Sequence, residues 1–307
     1  MKFIDLKTKA ETSVILSPTV LCIGNFDGVH LGHRQLVDSV LNKIGELKTD
    51  HPNIVAGAWF FDSNFYKGTR EIYTIDEKLN VFANLGLDYA IIADFDEMKS
   101  LSPENFVIDV LQNQCKCIHA VCGENFRFGA KAAGDSAYLK QLMNNHATIV
   151  PLMSVDGSTV ISSTYIRTLL AEGNIEKANS LLKEPYSIYE TVIHGKALGR
   201  TLGIPTINQN IQGKQFILKN GIYSTLCTVD GEKFYGVTNV GVRPTVDDDG
   251  HKNIETYIID FNSDCYDKKV RIEFIHRIRD EMKFDSIDSL KEQIQKDISA
   301  TERYFNK

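Results

Sequence analysis

The sequence has no run of apolar residues that approaches the roughly 18 needed for a membrane-spanning helix. Its first residues, MKFIDLKT, also lack the apolar core of a secretory signal peptide. These absences argue against a membrane-embedded or secreted class of protein. We therefore expect a cytoplasmic protein that has no membrane partner.

Basic residues are in the minority, with 34 Lys and Arg against 40 Asp and Glu and a net charge of −6. Proteins whose main partner is nucleic acid usually carry a basic excess, so we expect no nucleic-acid partner. The six cysteines form no C-x-x-C pair and match no histidine at a metal-ligand spacing. The sequence therefore indicates neither a zinc site nor a disulfide framework.

The 307 residues are enough for two domains, and the hydrophobic pattern changes once along the chain. From Thr19 to about Ser154, strand-like apolar runs alternate with helix-like segments, which is typical of a parallel sheet covered by helices. After Tyr186 the pattern favours short antiparallel strands, and residues 287–305 have the spacing of an amphipathic helix. We predict an α/β domain over residues 1–184 and an antiparallel β-barrel domain with a terminal helix over residues 185–307.

A tight turn follows the first predicted strand of the parallel sheet. Its residues are Gly24, Asn25, Phe26, Asp27 and Gly28. His30 and His33 come next, on the first turn of a helix predicted from Leu31 to Lys43, where free N–H groups and the helix dipole favour a phosphate. Imidazoles can also stabilise a departing pyrophosphate. The histidine pair alone is as typical of a solvated helix face, but the strand, turn and helix around it favour a triphosphate site.

A second polar and aromatic segment follows the predicted strand at 119–122. It consists of Asn125, Phe126, Arg127 and Phe128. Aromatic rings on both sides of an arginine are suited to stacking on a planar ligand, although such a stretch is also typical of a packed loop.

Hydroxyl residues precede the helix predicted after residue 162. They are Ser162, Ser163 and Thr164, and Arg167 lies one turn inside the helix. The planar guanidinium of Arg167 can donate two hydrogen bonds to one phosphate. The alternative is an ordinary Ser/Thr helix cap without a ligand.

The second domain contains a basic, glycine-rich loop. Its glycines and arginine are Gly195, Gly199, Arg200 and Gly203, followed by Pro-Thr206-Ile-Asn208. Glycines let backbone amides approach phosphates closely. The loop is not a Walker P-loop, because no G-K-[S/T] follows.

These motifs resemble, in order, those of the bacterial bifunctional riboflavin kinase/FMN adenylyltransferase family. Residues 24–33 match G-x-F-D-G-x-H-x-G-H, residues 161–167 match I-S-S-T-x-I-R, residues 195–208 match G-x-x-x-G-R-x-L-G-x-P-T-x-N and residues 279–284 match R-D-E-x-K-F. The likeness covers roughly residues 14–300. It implies a Rossmann-like nucleotidylyltransferase domain that converts FMN to FAD and a kinase domain that converts riboflavin to FMN. Both steps use ATP as co-substrate and Mg²⁺ as cofactor.

The resemblance also implies roles for individual residues. It implies catalytic roles for His30, His33, Arg167 and Glu255, with Glu255 as the general base for the riboflavin hydroxyl. It implies that ATP and its phosphates contact Gly24, Asn25, Phe26, Asp27, Gly28, Ser162, Ser163, Thr164, Gly195, Gly199, Arg200 and Gly203. Flavin contacts are implied for Asn125, Phe126, Arg127, Phe128 and Arg279, and Mg²⁺ ligands for Thr206 and Asn208.

One departure from the family pattern bears on activity. Where the family has F-D-P-H-P, this chain has Phe61-Asp-Ser63-Asn64-Phe65, so a histidine and both prolines are missing. We therefore predict a slower or more selective adenylyltransferase. The alternatives are a riboflavin kinase whose N-terminal domain is weakly active or regulatory, and a flavin or nucleotide sensor without turnover. We expect a monomer or a weak homo-oligomer.

Overall fold

The computed structural model describes residues 1–6, 15–62, 70–195, 203–211, 215–242 and 252–306. The chain divides into two compact units, Met1–Ser163 and Thr164–Lys307. The predicted fold class is confirmed: the first unit contains a parallel six-stranded sheet, and the second contains a nearly closed antiparallel barrel and a terminal helix.

The parallel sheet has the strand order β1-β4-β3-β2-β5-β8. Its strands are β1 (Lys2–Asp5), β2 (Thr19–Ile23), β3 (Val55–Phe61), β4 (Tyr89–Ala93), β5 (Cys117–Gly123) and β8 (Ala147–Val150). All neighbouring strands pair in parallel. A small antiparallel ribbon is formed by β6 (Arg127–Phe128) and β7 (Gly134–Asp135).

Helical segments connect these strands. They are α1 (Leu31–Leu47), α2 (Ile75–Asn84), α3 (Phe95–Met98), α4 (Pro103–Asn105), a π-helix (Phe106–Gln114), a 3₁₀ turn (Ala130–Ala132) and α5 (Ser136–Leu142). Every residue of β2 is buried, as expected for a central strand covered on both faces. Trp59 of β3 packs edge-on against Phe106 with ring centroids 5.1 Å apart, which joins the sheet to the π-helix.

The strand order places a topological switch point between β2 and β5. After β2 the chain moves to β3 on one side, and β5 pairs with β2 on the other side. In open α/β sheets, ligands bind where the order reverses, outside the carboxyl ends of the strands. The turn that begins at Gly24 follows β2, and the segment containing Asn125 follows β5, so both predicted nucleotide motifs leave the sheet at this point.

The second unit contains helices and a six-stranded antiparallel sheet. The helices are α6 (Ser163–Glu172, beginning at the unit boundary), α7 (Ile175–Leu182) and α8 (Ile287–Tyr304). The strands are β9 (Ser187–Thr191), β10 (Thr206–Asn210), β11 (Gly221–Val229), β12 (Glu232–Val242), β13 (Lys252–Ile258) and β14 (Lys269–Arg279), in the order β10-β13-β12-β11-β14-β9.

Contacts between the two edge strands nearly close this sheet into a barrel. Ile193, just after β9, forms an isolated bridge with Asn208 of β10. Inside the barrel, the fully buried Gln209 donates Nε2 hydrogen bonds to the carbonyl oxygens of Glu190 (2.6 Å) and Val270 (2.8 Å). Outside, Ile298 of α8 packs against an apolar cluster of the barrel wall.

Several sequence predictions hold in detail. The two-residue turn at Asp230 and Gly231 joins β11 to β12 with φ angles of 49° and 88°, as in type I′ hairpins. Gly173, at φ 82°, separates α6 from α7 at the predicted helix break.

Other predicted elements differ from the structure. The strand predicted to reach residue 95 ends at Ala93, because Asp94 caps α3 through the backbone N–H of Asp96. The sequence prediction missed β1, the π-helix and β10, which lies in a segment interpreted as a loop.

Candidate active sites

The turn after β2 is held in an uncommon backbone conformation. Phe26, Gly28 and Val29 have positive φ angles of 52°, 78° and 37°. Such angles are strained for Phe and Val and persist only where the surroundings fix them. The buried ring of Phe26 supplies that constraint, since it packs edge-on against Phe82 with centroids 5.2 Å apart.

The carboxylate of Asp27 joins this turn to the segment that leads into α2. Asp27 is 2% exposed and accepts hydrogen bonds from the backbone N–H groups of Ile72 (2.8 Å) and Tyr73 (3.5 Å). Its carbonyl oxygen accepts a bond from Ser163 Oγ (2.9 Å). The predicted phosphate residue Asp27 therefore orders the turn, and one predicted hydroxyl, Ser163, is held directly against it.

His30 and His33 lie together at the start of α1. Their rings are stacked with centroids 3.7 Å apart and an interplanar angle of 17°. A Cβ on Gly32 would lie 3.3 Å from the His30 ring, closer than most side chains pack. The middle glycine of H-x-G-H therefore leaves room for the imidazole.

Burial keeps both histidines uncharged at neutral pH. It lowers the pKa of His30 to about 4. The pKa of His33 lies well below its usual value, because of burial first and then the nearby charges of His30 and Lys78. Both Nδ1 atoms are buried and have no hydrogen-bond partner within the described residues. A polyanion at this site would raise both pKa values by favouring the charged imidazoles.

The first turn of α1 is open to an anion. His30 occupies the N-cap position without a side-chain capping bond, and the first turn contains no acidic residue. The first N–H groups of a helix have no partner within the helix, so they can donate to an anion in the positive field of the helix dipole.

A buried ion pair lies near the histidines and was not predicted. Lys78 of α2 is fully buried, and its Nζ is 2.9 Å from Glu71 Oε1. The positive charge of Lys78 lowers the pKa of His33. Burial raises the pKa of Glu71, with Lys78 opposing that effect. No sequence motif indicated this pair, because a Lys and a Glu seven residues apart are common on any surface.

The predicted flavin segment after β5 is divided between core and surface. Phe128 is buried and packs against Phe106 with centroids 5.5 Å apart, so its ring builds the core. Phe126, half-buried, stacks parallel to Phe128. Asn125 and Arg127 are exposed, and Arg127 Nη1 lies 3.3 Å from Asp135 Oδ2.

Three other predicted phosphate residues surround the start of α6. Ser162 is half-buried at the end of the first unit, whereas the exposed Thr164 and the half-buried Arg167 belong to the second unit.

In the barrel, a row of polar residues crosses three adjacent strands. Asn208 of β10 lies directly opposite Glu255 of β13, which in turn lies opposite Asn239 of β12. Cross-strand partners project from the same face of a sheet. Thr206, two residues before Asn208, shares this face, while Ile207 between them belongs to the opposite face.

Gly195 lies directly against this row. A Cβ on Gly195 would lie 2.5–2.8 Å from the side-chain amide atoms of Asn208, a distance that real Cβ atoms do not adopt. Gly195 is therefore required to let the chain pass over Asn208. Gly203 is exposed, with φ 73° and no neighbour within 4 Å of a Cβ built on it.

A cavity of about 340 Å³ opens beside Thr206, a size typical of small-molecule sites. Pro205, Ile258, Phe261 and Tyr266 are among its lining residues. Tyr266 stacks on His194 with ring centroids 3.9 Å apart, which fixes one wall.

Arg279, predicted as a flavin contact, forms an ion pair with Asp297 of α8. Its Nε and Nη2 atoms donate to the carboxylate oxygens at 2.9 and 2.6 Å. Asp297 is 2% exposed, so the pair fixes α8 to the end of β14.

Some predicted positions lie outside the described residues. These are Gly199, Arg200, Ser63 and Asn64. In the described part of the chain, no group of three or more His, Cys, Asp or Glu side chains is arranged to hold a metal ion.

Comparison with known proteins finds two family models along the chain. A family model described as FAD synthetase matches residues 13–165, and one described as riboflavin kinase matches residues 182–305. The bifunctional riboflavin kinase/FMN adenylyltransferase of Buchnera aphidicola subsp. Schizaphis graminum is 34% identical over 304 residues, which cover 95% of this chain and 96% of that relative. The chain belongs to this bifunctional family.

Other comparisons extend the match. The Bacillus subtilis member of the riboflavin kinase/FMN adenylyltransferase family is 35% identical over 303 residues, which cover 94% of this chain and 93% of that relative. A solved structure described as a macrolide-efflux protein from Streptococcus pneumoniae has a TM-score of 0.87 and 27% identity, and the match covers 98% of this chain and 99% of that chain. Among the helices described for this family member, none is both long enough and apolar enough to span a membrane.

Proposed function

We propose that this chain makes FAD in two ATP-dependent steps, and that each unit carries one of them. The barrel unit phosphorylates riboflavin to FMN, and the parallel-sheet unit transfers AMP from ATP to FMN and releases pyrophosphate. The observation that carries the proposal is that each unit contains its own polar constellation, and each constellation falls within a separate family match.

In the adenylyl-transfer site, the residues around the start of α1 bind and neutralise the ATP phosphates. The FMN phosphate attacks the α-phosphorus, so the protein needs no nucleophile, and positioning and charge stabilisation dominate. His30 and His33 are neutral before ATP binds and become better donors as the pyrophosphate charge develops. Ser162, in the same unit, is proposed as a further phosphate contact, and the predicted phosphate roles of Thr164 and Arg167 remain predictions of the family resemblance.

Near β5, the exposed side chains are the ones proposed to contact FMN. Asn125, Arg127 and the half-buried Phe126 are accessible, whereas Phe128 supports them from the core. We also propose phosphate contacts for the turn at residues 24–28 of the first unit, and for Gly195 and Gly203 of the second.

In the kinase site, Glu255 is proposed as the general base. It accepts the proton of the riboflavin 5′-hydroxyl as the oxygen attacks the γ-phosphorus of ATP, and ADP leaves. Asn208 lies directly across the ladder from Glu255, so a group held by Asn208 lies beside the base. General-base catalysis of this kind contributes a factor of about 10² to 10⁴.

Enzymes that use ATP usually require a divalent cation, and the residues of the kinase site fit Mg²⁺. Thr206 and Asn208 offer hard oxygen donors on one face, and the buried Oδ1 of Asn239 nearby has no partner within the described residues. When bound, the cation would neutralise charge on the phosphates.

The proposal is tested by incubating the purified chain with ATP and Mg²⁺, and with either riboflavin or FMN as the starting flavin. Chromatography should show FMN and FAD from riboflavin, and FAD from supplied FMN. Formation of FMN alone would favour the kinase-only alternative, and binding without turnover would favour the sensor.

A further inference from the structure

A buried asparagine, Asn253, lies beside the proposed base Glu255. Asn253 is 5% exposed and lies two residues before Glu255 on β13, so both side chains share one face of the strand. Its Nδ2 donates a hydrogen bond of 2.7 Å to Glu255 Oε1 and lies 3.5 Å from Asn208 Oδ1.

The surroundings fix the orientation of this amide. Both atoms that Nδ2 faces are oxygens, and a flipped amide would place Oδ1 against the Glu255 carboxylate. The observed orientation leaves Oδ1 buried, without a hydrogen-bond partner in the described part of the chain. A buried oxygen without a partner is unfavourable. If position 253 had only a structural role in the barrel, a threonine or valine there would avoid this cost.

The charge of the donor also matters. The residues directly opposite Glu255 on both sides are the neutral amides of Asn208 and Asn239, and no salt bridge to Glu255 occurs among the described residues. A lysine or arginine at position 253 would stabilise the carboxylate so strongly that it would become a weaker base. A neutral amide orients one oxygen and leaves Oε2 to accept a proton.

We propose that Asn253 is a positioning residue of the kinase site, which fixes the Glu255 carboxylate for removal of the riboflavin hydroxyl proton. The inference rests on the proposed role of Glu255. Asn253 acts through that carboxylate and through Asn208, and contributes no group to the transferred phosphoryl.

The experiment compares Asn253→Leu and Asn253→Asp with the wild-type chain in riboflavin phosphorylation, over about pH 5 to 9. Asn253→Leu removes the donor, so we expect kcat to fall about tenfold and the acid limb of the pH profile to move up by about one unit. KM for ATP should change little. Asn253→Asp should be affected more strongly at neutral pH and recover as the pH rises, because two adjacent carboxyl groups share a proton.

A matched control removes the same kind of bond elsewhere. Asn174 Nδ2 donates to Glu172 Oε2 at 3.1 Å between α6 and α7, outside the row, so Asn174→Leu should leave the pH profile unchanged. Quenching of riboflavin fluorescence in each variant verifies that the barrel is folded. Superimposable profiles and equal kcat for wild type and Asn253→Leu would overturn the inference, as would equal losses in Asn253→Leu and Asn174→Leu at every pH.

Glu255→Gln separates the role of the base from the role of Asn253. If this variant phosphorylates riboflavin at the wild-type rate, the assignment of the base is wrong and the inference fails with it. If Glu255→Gln is inactive while both Asn253 variants match the wild type, the proposed function stands and only the role of Asn253 is wrong.

Discussion

Asn208 and Glu255 are cross-strand partners in the β10–β13 ladder, although they are 47 positions apart in the sequence. Register alone brings them together, since a slip of one residue would turn one of the side chains to the opposite face of its strand. Asn208 also forms a bridge with Ile193, which follows β9 at the opposite edge of the sheet. The kinase constellation thus depends on closure of the barrel.

Gly195→Ala should damage the kinase step selectively. The new Cβ would overlap the Asn208 amide, so this side chain must leave its present position opposite Glu255. We expect riboflavin phosphorylation to fall about 10- to 100-fold while FMN adenylylation by the other unit is retained. Gly231→Asn is the control, because the hairpin position has a positive φ that Asn tolerates and nothing within 4 Å. Equal activity in Gly195→Ala and wild type would contradict the close packing.

Acid should destabilise the first unit through its buried histidines. Burial, followed by the nearby Lys43, lowers the pKa of His119 to about 4, and burial has the same effect at His30. Between about pH 6.5 and 4 the unfolded chain binds more protons than the folded one, so stability is full above that range and falls as the pH drops. Trp59, the only tryptophan, is buried in this unit and reports its unfolding.

His119→Gln tests this pH dependence. The amide can keep a hydrogen bond with Thr148 Oγ1, which His119 Nε2 contacts at 2.9 Å, but cannot titrate. The unfolding midpoint followed by Trp59 fluorescence should fall less between pH 7 and 5 than in the wild type. An identical decrease in both proteins would show that His119 contributes no such linkage.

Lys78→Met should destabilise the first unit by about 3 to 5 kcal/mol, because it leaves the Glu71 carboxylate buried without its cation. The double variant Lys78→Met/Glu71→Gln should recover most of that loss, as measured by denaturant unfolding followed at Trp59. It should not recover adenylylation fully, since the Lys78 charge near His33 is still missing. Recovery of both properties would limit the pair to a structural role.

Arg279→Lys and Asp297→Asn distinguish helix anchoring from flavin binding. Each breaks the two-pronged contact that fixes α8, so each should lower the unfolding free energy by about 2 to 4 kcal/mol. If Arg279 also contacts the flavin, KM for riboflavin should rise further in Arg279→Lys than in Asp297→Asn. Equal KM values in the two variants would leave Arg279 with the anchoring role alone.

The sequence predicted those features that depend on local order. The apolar run of β2, the turn at Gly24, the start of α1 and the Asp230-Gly231 hairpin each follow from spacing and turn chemistry within a few residues. The strand β10 escaped prediction because its residues, Thr206–Asn210, are mostly polar and follow a glycine-rich loop. Only pairing with β13 makes them a strand.

The candidate sites were predictable as motifs but not as arrangements. The family resemblance indicated Asn208 and Glu255 separately, and the barrel register brings them side by side. Lys78 and Asn253 gave no signal, because their importance comes from burial next to a charged partner. Similarly, Arg127 and Phe128 are adjacent in sequence, yet the ring of Phe128 lies in the core and the side chain of Arg127 is exposed.

The most direct test of two separate sites is a product assay on two variants, Glu255→Gln and His33→Ala, each supplied with ATP, Mg²⁺ and either riboflavin or FMN. Glu255→Gln should form no FMN from riboflavin but should still convert supplied FMN to FAD. His33→Ala should accumulate FMN and form little FAD. Loss of both steps in either variant, with the chain still folded, would contradict the assignment of one reaction to each unit.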